Sequence, residues 1–397
     1  MRFCLYSGFM IARFVFIYVL LLLPGITRAQ RLSAGAFISV ITCGPGQNEL
    51  YSAFGHSAFR VHDPELGIDY AFNYGVFDFN QPNFYLNFAR GHNYYKLAVQ
   101  DYRQFEYFYR YFNRYVHEQV LDLTQAQKQR LFDFLQWNAL PENRSYRYDY
   151  FYDNCATKIP AILKQLFGDS LQFTYPHITT RYSFRQLTDL YLKHQPWGDL
   201  GIDLCLGLPM DKTATPFEYM FLPDYVEAGL DYALLNGRPL VKEKNIVYAS
   251  VPEEFSAEWF TPFNVFTLLA AVTLMLTVYD LRRKKISYLY DRLLFGITGI
   301  IGLILLLLWI ATDHWAAAWN FNLLWAFPFH IIIVFTLKKP WKWITNYFKV
   351  MVVILLLLLV FWVWLPQQMH YALIPLILSL LMRSWTNQSL RRSGSSL

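Results

Sequence analysis

Apolar residues are distributed very unevenly along the 397-residue chain, and this constrains the fold more than any other feature. Residues 30–258 carry charges throughout, whereas residues 259–383 are dominated by Leu, Ile, Val, Phe and Trp. Hydrophobic residues make up 55% of the chain and charged residues 16%. These values are typical of a membrane protein and argue against a soluble enzyme of two domains.

Five stretches within residues 259–383 are apolar enough to be candidate membrane spans. They cover residues 263–278, 293–310, 322–337, 350–365 and 370–382. The last stretch is short and contains Pro375, so we expect it to be tilted, kinked or only partly inserted. The sequence therefore predicts an α-helical membrane domain of about five spans.

The connections between these stretches alternate in charge, which predicts their orientation. Lys and Arg follow the first, third and fifth stretches, whereas the connections 311–320 and 366–369 contain neither. Because short, positively charged loops stay in the cytoplasm, residues 30–258 are predicted to lie on the opposite side of the membrane. This topology accounts for the net charge of +6 without a nucleic-acid partner.

The N-terminus has the pattern of a signal peptide. Arg2 and Arg13 flank its start, an apolar core covers residues 14–23, and Ala29 offers a small residue for cleavage before Gln30. An uncleaved anchor is the alternative, and either one exports the domain that follows. The predicted division is a signal peptide at 1–29, a periplasmic catalytic domain at 30–258, a transmembrane domain at 259–383 and a cytoplasmic tail at 384–397. The predicted location is the inner membrane, crossed several times.

Within the exported domain, local patterns predict a mixture of strands and helices. Strands are expected at residues 36–42, 57–62, 68–73, 94–99 and 116–123, and helices after Asp101, at 124–140 and at 160–166. Thr124 and Gln127 form a capping box for the second helix. Residues 200–258 are expected to form short strands and turns, including Asn236-Gly237. The fold class is α+β.

Cys155 and His56 are the candidate catalytic pair. Asp153 and Asn154 precede Cys155 and are good helix-cap residues, so the thiol is expected near a helix start, where the dipole and free amides stabilise a thiolate and an oxyanion. Pro160 argues for a separate turn at Cys155. A buried structural cysteine and a buried structural histidine are the alternative interpretations.

A third residue would orient the imidazole of His56. Asn73 on the next predicted strand can do so, and Asp69 is the other candidate. Cys43, which precedes a glycine-rich turn, is the alternative nucleophile. Three cysteines follow the signal peptide, so at least one thiol is free, and a Cys43–Cys205 disulfide is compatible with the sequence.

Further residues are candidates for substrate binding. They are Tyr51, Ser52, Arg90, Arg144 and His314, the last in the polar 311–320 loop that either meets the catalytic domain to seat a lipid head group or forms an interfacial belt. The sequence contains no glycine-rich phosphate loop and no clustered His and Cys spacing. No cofactor and no metal are therefore predicted.

Several motifs resemble one family. Thr42-Cys43-Gly44-Pro45-Gly46, the run from Tyr51 to Ala58, Phe72-Asn73-Tyr74-Gly75, Pro82-Asn83-Phe84-Tyr85, Pro141-Glu142-Asn143-Arg144 and the run from Tyr152 to Thr157 occur in order, and Trp319-Asn320-Phe321-Asn322 follows in the membrane half. They resemble a Bacteroidota family long labelled a domain of unknown function and now associated with lipoprotein N-acylation. The resemblance covers about residues 35–250 and extends to the membrane half.

The order of His before Asn-Cys also resembles the permuted papain-like domains of the NlpC/P60 and lecithin:retinol acyltransferase groups. In the lecithin:retinol acyltransferase group a strand histidine activates a cysteine at a helix start, and the cysteine takes an acyl chain from a phospholipid. The resemblance carries these roles to His56 and Cys155. The third position, often a histidine there, is Asn73 here.

These resemblances imply a lipoprotein N-acyltransferase. Its donor would be a phospholipid, its intermediate a cysteine thioester, and its acceptor the α-amine of the lipidated cysteine of a diacylglyceryl lipoprotein. One alternative is a papain-like thiol hydrolase that acts on phospholipids or cell-wall peptides, although five spans are more than a peptidase needs. The other is a non-enzymatic membrane protein that binds lipoproteins or lipids.

Overall fold

The computed structural model describes residues 30–79, 81–253, 255 and 258–394. The predicted signal peptide, residues 1–29, lies outside the described residues. The chain forms a mixed α/β N-terminal domain followed by a helical C-terminal region.

A seven-stranded antiparallel sheet organises the N-terminal domain, in the order β10-β5-β1-β2-β3-β4-β6. Three short strands, β7, β8 and β9, form a second sheet, in which Asn236 and Gly237 make the tight turn between β8 and β9 with positive φ angles. The five strands that the sequence predicted correspond to β1 to β5. The strands are β1 Phe37–Cys43, β2 His56–Asp63, β3 Ile68–Phe77, β4 Tyr94–Asp101, β5 Val116–Leu121, β6 Ser145–Arg147, β7 Leu171–Gln172, β8 Leu234–Leu235, β9 Arg238–Pro239 and β10 Val241–Tyr248.

Seven helices accompany these sheets among the described residues. The capping box of Thr124 and Gln127 starts α3 as predicted. The sequence did not predict α7, which begins with Pro223 at its first position, where the fixed φ of proline suits a helix start. The helices are α1 Phe84–Ala89, α2 Tyr102–Tyr111, α3 Gln125–Ala139, α4 Cys155–Phe167, α5 Phe184–Asp189, α6 Pro196–Cys205 and α7 Pro223–Asp231.

Helix α4 begins at Cys155 and continues through Pro160, so the predicted break at Pro160 is wrong. Pro160 is the sixth helical residue, and its missing N–H removes the hydrogen bond to the carbonyl of Ala156. Ile159 and Leu163 are fully buried in the core that the helix shares with the sheet. Burying such side chains contributes roughly 1.5–3 kcal/mol each, which offsets the cost of about 3 kcal/mol for a proline inside a helix. This packing places the first residue of α4 over strands β2 and β3.

The C-terminal region contains five further helices among the described residues, and three of them, α8, α9 and α11, are long and apolar enough to cross a membrane. The predicted stretch at 322–337 is broken: a short 3-10 turn covers Phe321–Leu324, and α10 begins only at His330. The buried side chain of Asn322, which accepts a hydrogen bond from the indole of Trp325, holds this break. The helices are α8 Pro262–Arg283, α9 Tyr288–Ile310, α10 His330–Thr336, α11 Lys342–Val360 and α12 Leu373–Gly394.

Helix α12 extends well beyond the predicted stretch at 370–382 and includes residues 384–394, where the sequence predicted a tail. The fully buried guanidinium of Arg383 lies 2.7 Å from Asp280 and 2.5 Å from Asp291. Asn387 donates a hydrogen bond to Asp291. Buried charges are tolerated only when they are paired, so this cluster ties α12 to α8 and α9. The hydropathy pattern predicts that the apolar stretch stops before Arg383, because a hydropathy scale counts the charge of Arg383 but not its pairing with Asp280 and Asp291.

Two connections of the helical region are bound to the N-terminal domain through its backbone carbonyls. Asn320 donates to the carbonyl of Leu204, and Gln367 donates to that of Leu206. A Cβ atom at Gly207 would lie 1.9 Å from the carbonyl oxygen of Ala318, so the close approach requires glycine. These contacts fix the domain against the side of the bundle whose connections lack Lys and Arg.

Three carboxylates lie beside this junction. Oxygens of Asp189, Asp199 and Asp203 lie within 4.8 Å of one another, and Asp203 is paired with Arg185 at 2.7 Å. Asp199 contacts His370 at 3.2 Å. Burial, reinforced by the neighbouring carboxylates, raises the pKa of Asp189 to about 8. This carboxyl is therefore protonated near neutral pH.

A pH dependence of stability follows from Asp189. Because its pKa is raised in the folded state, its contribution to stability is fully present below the unfolded pKa of 3.8 and is lost as the pH rises towards about 8. As the pH rises through this window, the free energy of unfolding of the Asp189→Asn protein should increase relative to that of the wild type, by a few kcal/mol at most. Thermal unfolding in detergent at pH 4, 6 and 8.5 measures the gap. A difference in melting temperature between the two proteins that is the same at all three pH values would contradict the assignment.

Candidate active site

Cys155 is the first residue of α4, and Asn154 holds the helix start in place. The Asn154 side-chain oxygen accepts hydrogen bonds from the N–H groups of Ala156 at 2.8 Å and Thr157 at 2.9 Å. Its amide nitrogen donates to the carbonyls of Tyr150 and Phe221. Asn154 is thus a buried positioning residue whose hydrogen bonds are all internal. The cap uses the N–H groups of Ala156 and Thr157, whereas the N–H of Cys155 makes no hydrogen bond to any described residue.

His56 begins β2 and forms a hydrogen bond with the candidate third residue. Its Nε2 lies 2.6 Å from Oδ1 of Asn73 on the neighbouring strand β3. The Asn73 amide nitrogen donates to Gln100 on β4 at 3.1 Å, which turns the amide oxygen towards the imidazole. Nε2 of His56 is therefore the protonated nitrogen, and Nδ1 is left for the thiol. The sequence did not predict Gln100 because nothing in its local pattern marks it as the partner of an amide on the neighbouring strand.

The thiol and the imidazole favour each other's charged form. Burial alone would raise the pKa of Cys155, but the charge of His56, their hydrogen bond and the N–H groups of Ser57 and Ala156 outweigh it, so the pKa is lowered. Burial works against the charged imidazole too, yet Cys155 and Asn73 raise the pKa of His56 above its ordinary value. The arrangement supports a thiolate–imidazolium pair, the reactive form of a cysteine nucleophile.

Two features bring the strands and the helix close together. Gly75 has a φ of +83°, and a Cβ atom there would lie 3.5 Å from the Cβ of Cys155. On the other side of the imidazole, Tyr109 of α2 stacks on the ring of His56 with centroids 6.1 Å apart. The ring is thus covered by an aromatic side chain and remains only partly buried.

Cys43, the alternative nucleophile, is fully buried in β1 and pairs in register with His56 on β2. Burial raises its pKa far above the ordinary value of a thiol. Cys205 is exposed, and Cys43, Cys155 and Cys205 are all free thiols. The Cys43–Cys205 disulfide is therefore absent, and Cys155 is the thiol with the lowered pKa.

Most of the other predicted residues have structural partners. Asp153 pairs with Lys158 at 2.7 Å, and Asp69 makes two hydrogen bonds to Arg60 instead of contacting His56. Ser52 donates to the carbonyls of Gly46 and Glu49 within its own loop. These three polar side chains hold the domain together. Their polar atoms are already hydrogen-bonded or ion-paired within the domain.

Tyr51 is 69% exposed beside the aromatic cover of the site. Arg90 is also exposed, and its backbone carbonyl accepts a hydrogen bond from the N–H of Asp313. His314 lies near the carbonyl of Phe88 at 3.2 Å. The 311–320 loop therefore meets the N-terminal domain, as one of the two sequence interpretations proposed. Arg144 lies elsewhere, at the edge of β4.

A cavity of about 540 Å³ opens where this loop meets the domain. The indole of Trp315 donates to Asp149 at 2.6 Å, and Arg147 lies 2.7 Å from Asp313. Among the polar residues that line this cavity, His314 was a predicted candidate for substrate binding. The unusual composition of the 311–320 loop was the sequence signal that could have identified the neighbours of His314. The polar lining consists of Asn93, Arg147, Tyr148, Asp149, Tyr150, Thr312, Asp313, His314 and Trp315.

A Cys–His–Asn arrangement in an N-terminal domain, joined to a bundle with long apolar helices, defines a membrane protein whose globular domain carries a thiol of lowered pKa beside an imidazole. The model of the Lnb N-terminal periplasmic domain matches residues 29–186, and that of the Lnb transmembrane domain matches residues 254–393. The chain belongs to the Lnb family, and its N-terminal domain is periplasmic. Comparison with curated proteins and with solved structures gave no match.

Proposed function

We propose that this protein is a lipoprotein N-acyltransferase that carries an acyl chain as a thioester on Cys155. One observation carries the proposal: a thiol whose pKa is lowered chiefly by the charge of a neighbouring imidazole, which Asn73 orients, lies in a domain bound to the periplasmic side of a membrane bundle. Thiol chemistry fixed at that surface suits substrates that are themselves held in the membrane. The family's association with lipoprotein N-acylation points the same way.

The first step transfers the acyl chain from a phospholipid to the enzyme. The Cys155 thiolate attacks the ester carbonyl, and the free N–H of Cys155 stabilises the oxyanion. The C–O bond to glycerol breaks, and the His56 imidazolium gives its proton to the departing lysophospholipid. Asn73 keeps the ring in the tautomer and orientation that this requires.

The second step transfers the chain to the lipoprotein. The α-amine of the diacylglyceryl cysteine attacks the thioester carbonyl, His56 accepts the amine proton, and the C–S bond breaks to restore the thiolate. The aromatic cover of Tyr109 disfavours hydrolysis by restricting water. Confinement of both substrates to one membrane surface raises their effective concentration at the site.

The proposed domain fold is permuted papain-like. Its support is the arrangement of a cysteine at a helix start packed on an antiparallel sheet, with the histidine and its orienting residue on adjacent strands. We propose that residues 30–258 are the catalytic domain. We also propose five spans in an inner membrane, of which three are the long apolar helices and the other two are the broken segment 321–336 and helix α12.

The topology can be tested by labelling. The contacts between the domain and the bundle involve the connections without Lys or Arg, so the basic connections are expected on the far, cytoplasmic side. Cysteine substitutions at His314 and Lys284 in a Cys43, Cys155 and Cys205→Ala background should react with a membrane-impermeant maleimide only at position 314 in intact cells. Labelling of both positions from the same side would overturn this topology.

The decisive functional experiment is mass spectrometry of a lipoprotein N-terminus made with and without the protein. The proposal expects an added acyl chain on the α-amine that depends on Cys155. Lysophospholipid release without N-acylated lipoprotein would indicate a phospholipase. Unimpaired function in Cys155→Ala would indicate a non-enzymatic binding protein.

A further inference from the structure

The cavity beside the 311–320 loop adjoins the nucleophile without containing it. Tyr148, in its wall, lies 3.4 Å from the position of a Cβ atom on Gly75, and the same position lies 3.5 Å from the Cβ of Cys155. Neither Cys155 nor His56 lines the cavity. A ligand group held there is one layer of side chains away from the reacting sulfur.

One side of the cavity presents a guanidinium with unused donors. Nη2 of Arg147 donates to Asp313 at 2.7 Å and lies 3.5 Å from the carbonyl of Gly91. The other two guanidinium nitrogens make no hydrogen bond to any described residue. The side chain is 53% exposed, so an anionic oxygen can reach it. A guanidinium recognises phosphate oxygens well because its N–H groups form a planar fork.

The cavity also presents acceptors. Asn93 is 6% exposed, and its side-chain oxygen has no hydrogen-bond partner among the described residues. The N–H of Tyr148 donates to its backbone carbonyl at 2.7 Å, which fixes the residue in the wall. A buried acceptor without a partner costs stability unless a ligand supplies a donor. The carboxylates of Asp149 and Asp313 line the same cavity and favour a positively charged donor.

We propose that this cavity binds the head group of the donor phospholipid, and that it selects a zwitterionic head group with a phosphate and a primary ammonium. The phosphate contacts Arg147, and the ammonium donates to Asn93 and the nearby carboxylates. This inference rests on the proposed function only in naming the lipid as the acyl donor. A head group fits this place because the glycerol backbone separates its phosphate from the ester, whereas the acceptor α-amine must reach the sulfur itself.

Lipid binding can be measured without turnover. Full-length Cys155→Ala protein in detergent is titrated with phosphatidylethanolamine, phosphatidylglycerol or phosphatidylcholine of identical chains, and bound lipid is counted by native mass spectrometry. We expect phosphatidylethanolamine to bind roughly tenfold tighter than phosphatidylglycerol, the effect of one charge-assisted hydrogen bond. Adding Asn93→Leu should remove this preference and leave phosphatidylglycerol binding unchanged, which also reports that the protein is folded.

Two more variants separate the phosphate from the amine. Arg147→Gln should weaken binding of all three lipids, whereas Arg144→Gln, which removes an arginine outside the cavity, should weaken none. If Asn93→Leu does not fold, Asp313→Asn at the exposed rim tests the preference as the ratio of phosphatidylethanolamine to phosphatidylglycerol affinity, because the loss of its ion pair with Arg147 affects both lipids alike. Equal binding of phosphatidylethanolamine and phosphatidylglycerol would overturn the proposal. Equal binding of phosphatidylcholine would show that the aromatic walls, and not the acceptors, recognise the cation, and would also overturn it.

The outcome is independent of the proposed function. If head-group selection is found but wild-type protein forms no acyl-enzyme, the head-group proposal is supported and the proposed acyltransferase function is contradicted. If the wild-type protein forms an acyl-enzyme at equal rates from phosphatidylethanolamine and phosphatidylglycerol, the proposed acyltransferase function is supported and head-group selection by the cavity is contradicted.

Discussion

Replacing Cys155 by Ser is expected to abolish the acyl-enzyme and reduce transfer by at least about 10³-fold. The substitution changes one atom at a partly buried position, so the fold is expected to be kept. A hydroxyl at the same place cannot ionise as the thiol does, because the surroundings that lower the pKa of Cys155 act on a group whose own pKa is far higher. Intact-mass measurement after mixing with phospholipid should show an acyl adduct on the wild type only.

Cys43→Ala is the matched control for this experiment. Cys43 is the cross-strand neighbour of His56, but burial keeps its thiol protonated. The acyl adduct should therefore persist in Cys43→Ala. An adduct that survives in Cys155→Ser and disappears in Cys43→Ala would reverse the assignment of the nucleophile.

Replacing His56 by Ala is expected to slow both acylation and transfer by about 10²–10⁴-fold, the usual contribution of a general base. The imidazole raises the thiolate fraction in the first step and accepts the amine proton in the second. Without it, the thiol of Cys155 ionises only near or above the unperturbed pKa of about 8.5, since burial also opposes ionisation. Higher pH should therefore partly restore acylation, and should restore transfer only as far as the amine itself is deprotonated.

Rapid-quench measurements across pH separate these two steps. His62→Ala is the control, because this histidine also lies on β2 but contacts Asp69 at 3.5 Å, away from the thiol. A folded His56→Ala protein with wild-type acylation rates at neutral pH would remove His56 from the mechanism. Asn73→Ala should give a smaller loss than His56→Ala, since it frees the ring without removing it.

The sequence predicted the strands around the candidate site and the contact of His56 with Asn73 because the relevant signals are local. Alternation of apolar residues identified strands β1 to β5, and the Asp-Asn dipeptide indicated a helix start near Cys155, although the helix itself was predicted only from Pro160. The pairing of His56 with Asn73 followed from their places on neighbouring strands. Pro160 misled the local interpretation because the burial that keeps the helix intact comes from the sheet beneath it.

The parts that the sequence did not predict depend on long-range pairs. Arg383 ends an apolar stretch by composition, yet Asp280 and Asp291, about a hundred residues earlier, allow the helix to continue. Gln100 orients Asn73 from another strand, and Arg147 meets Asp313 across 166 residues. Single-sequence patterns do not contain such partners.

The contacts of Asn320 and Gln367 with backbone carbonyls have a kinetic consequence. They fix the domain that carries Cys155 against the helical bundle, so under the proposed acyltransferase function both substrates would reach the thiol by lateral diffusion within a leaflet. The rate should then follow the mole fraction of each substrate in the surface and not its amount per volume. In mixed micelles, adding inert detergent at constant bulk substrate should slow the reaction, as it would for an enzyme that works in two dimensions.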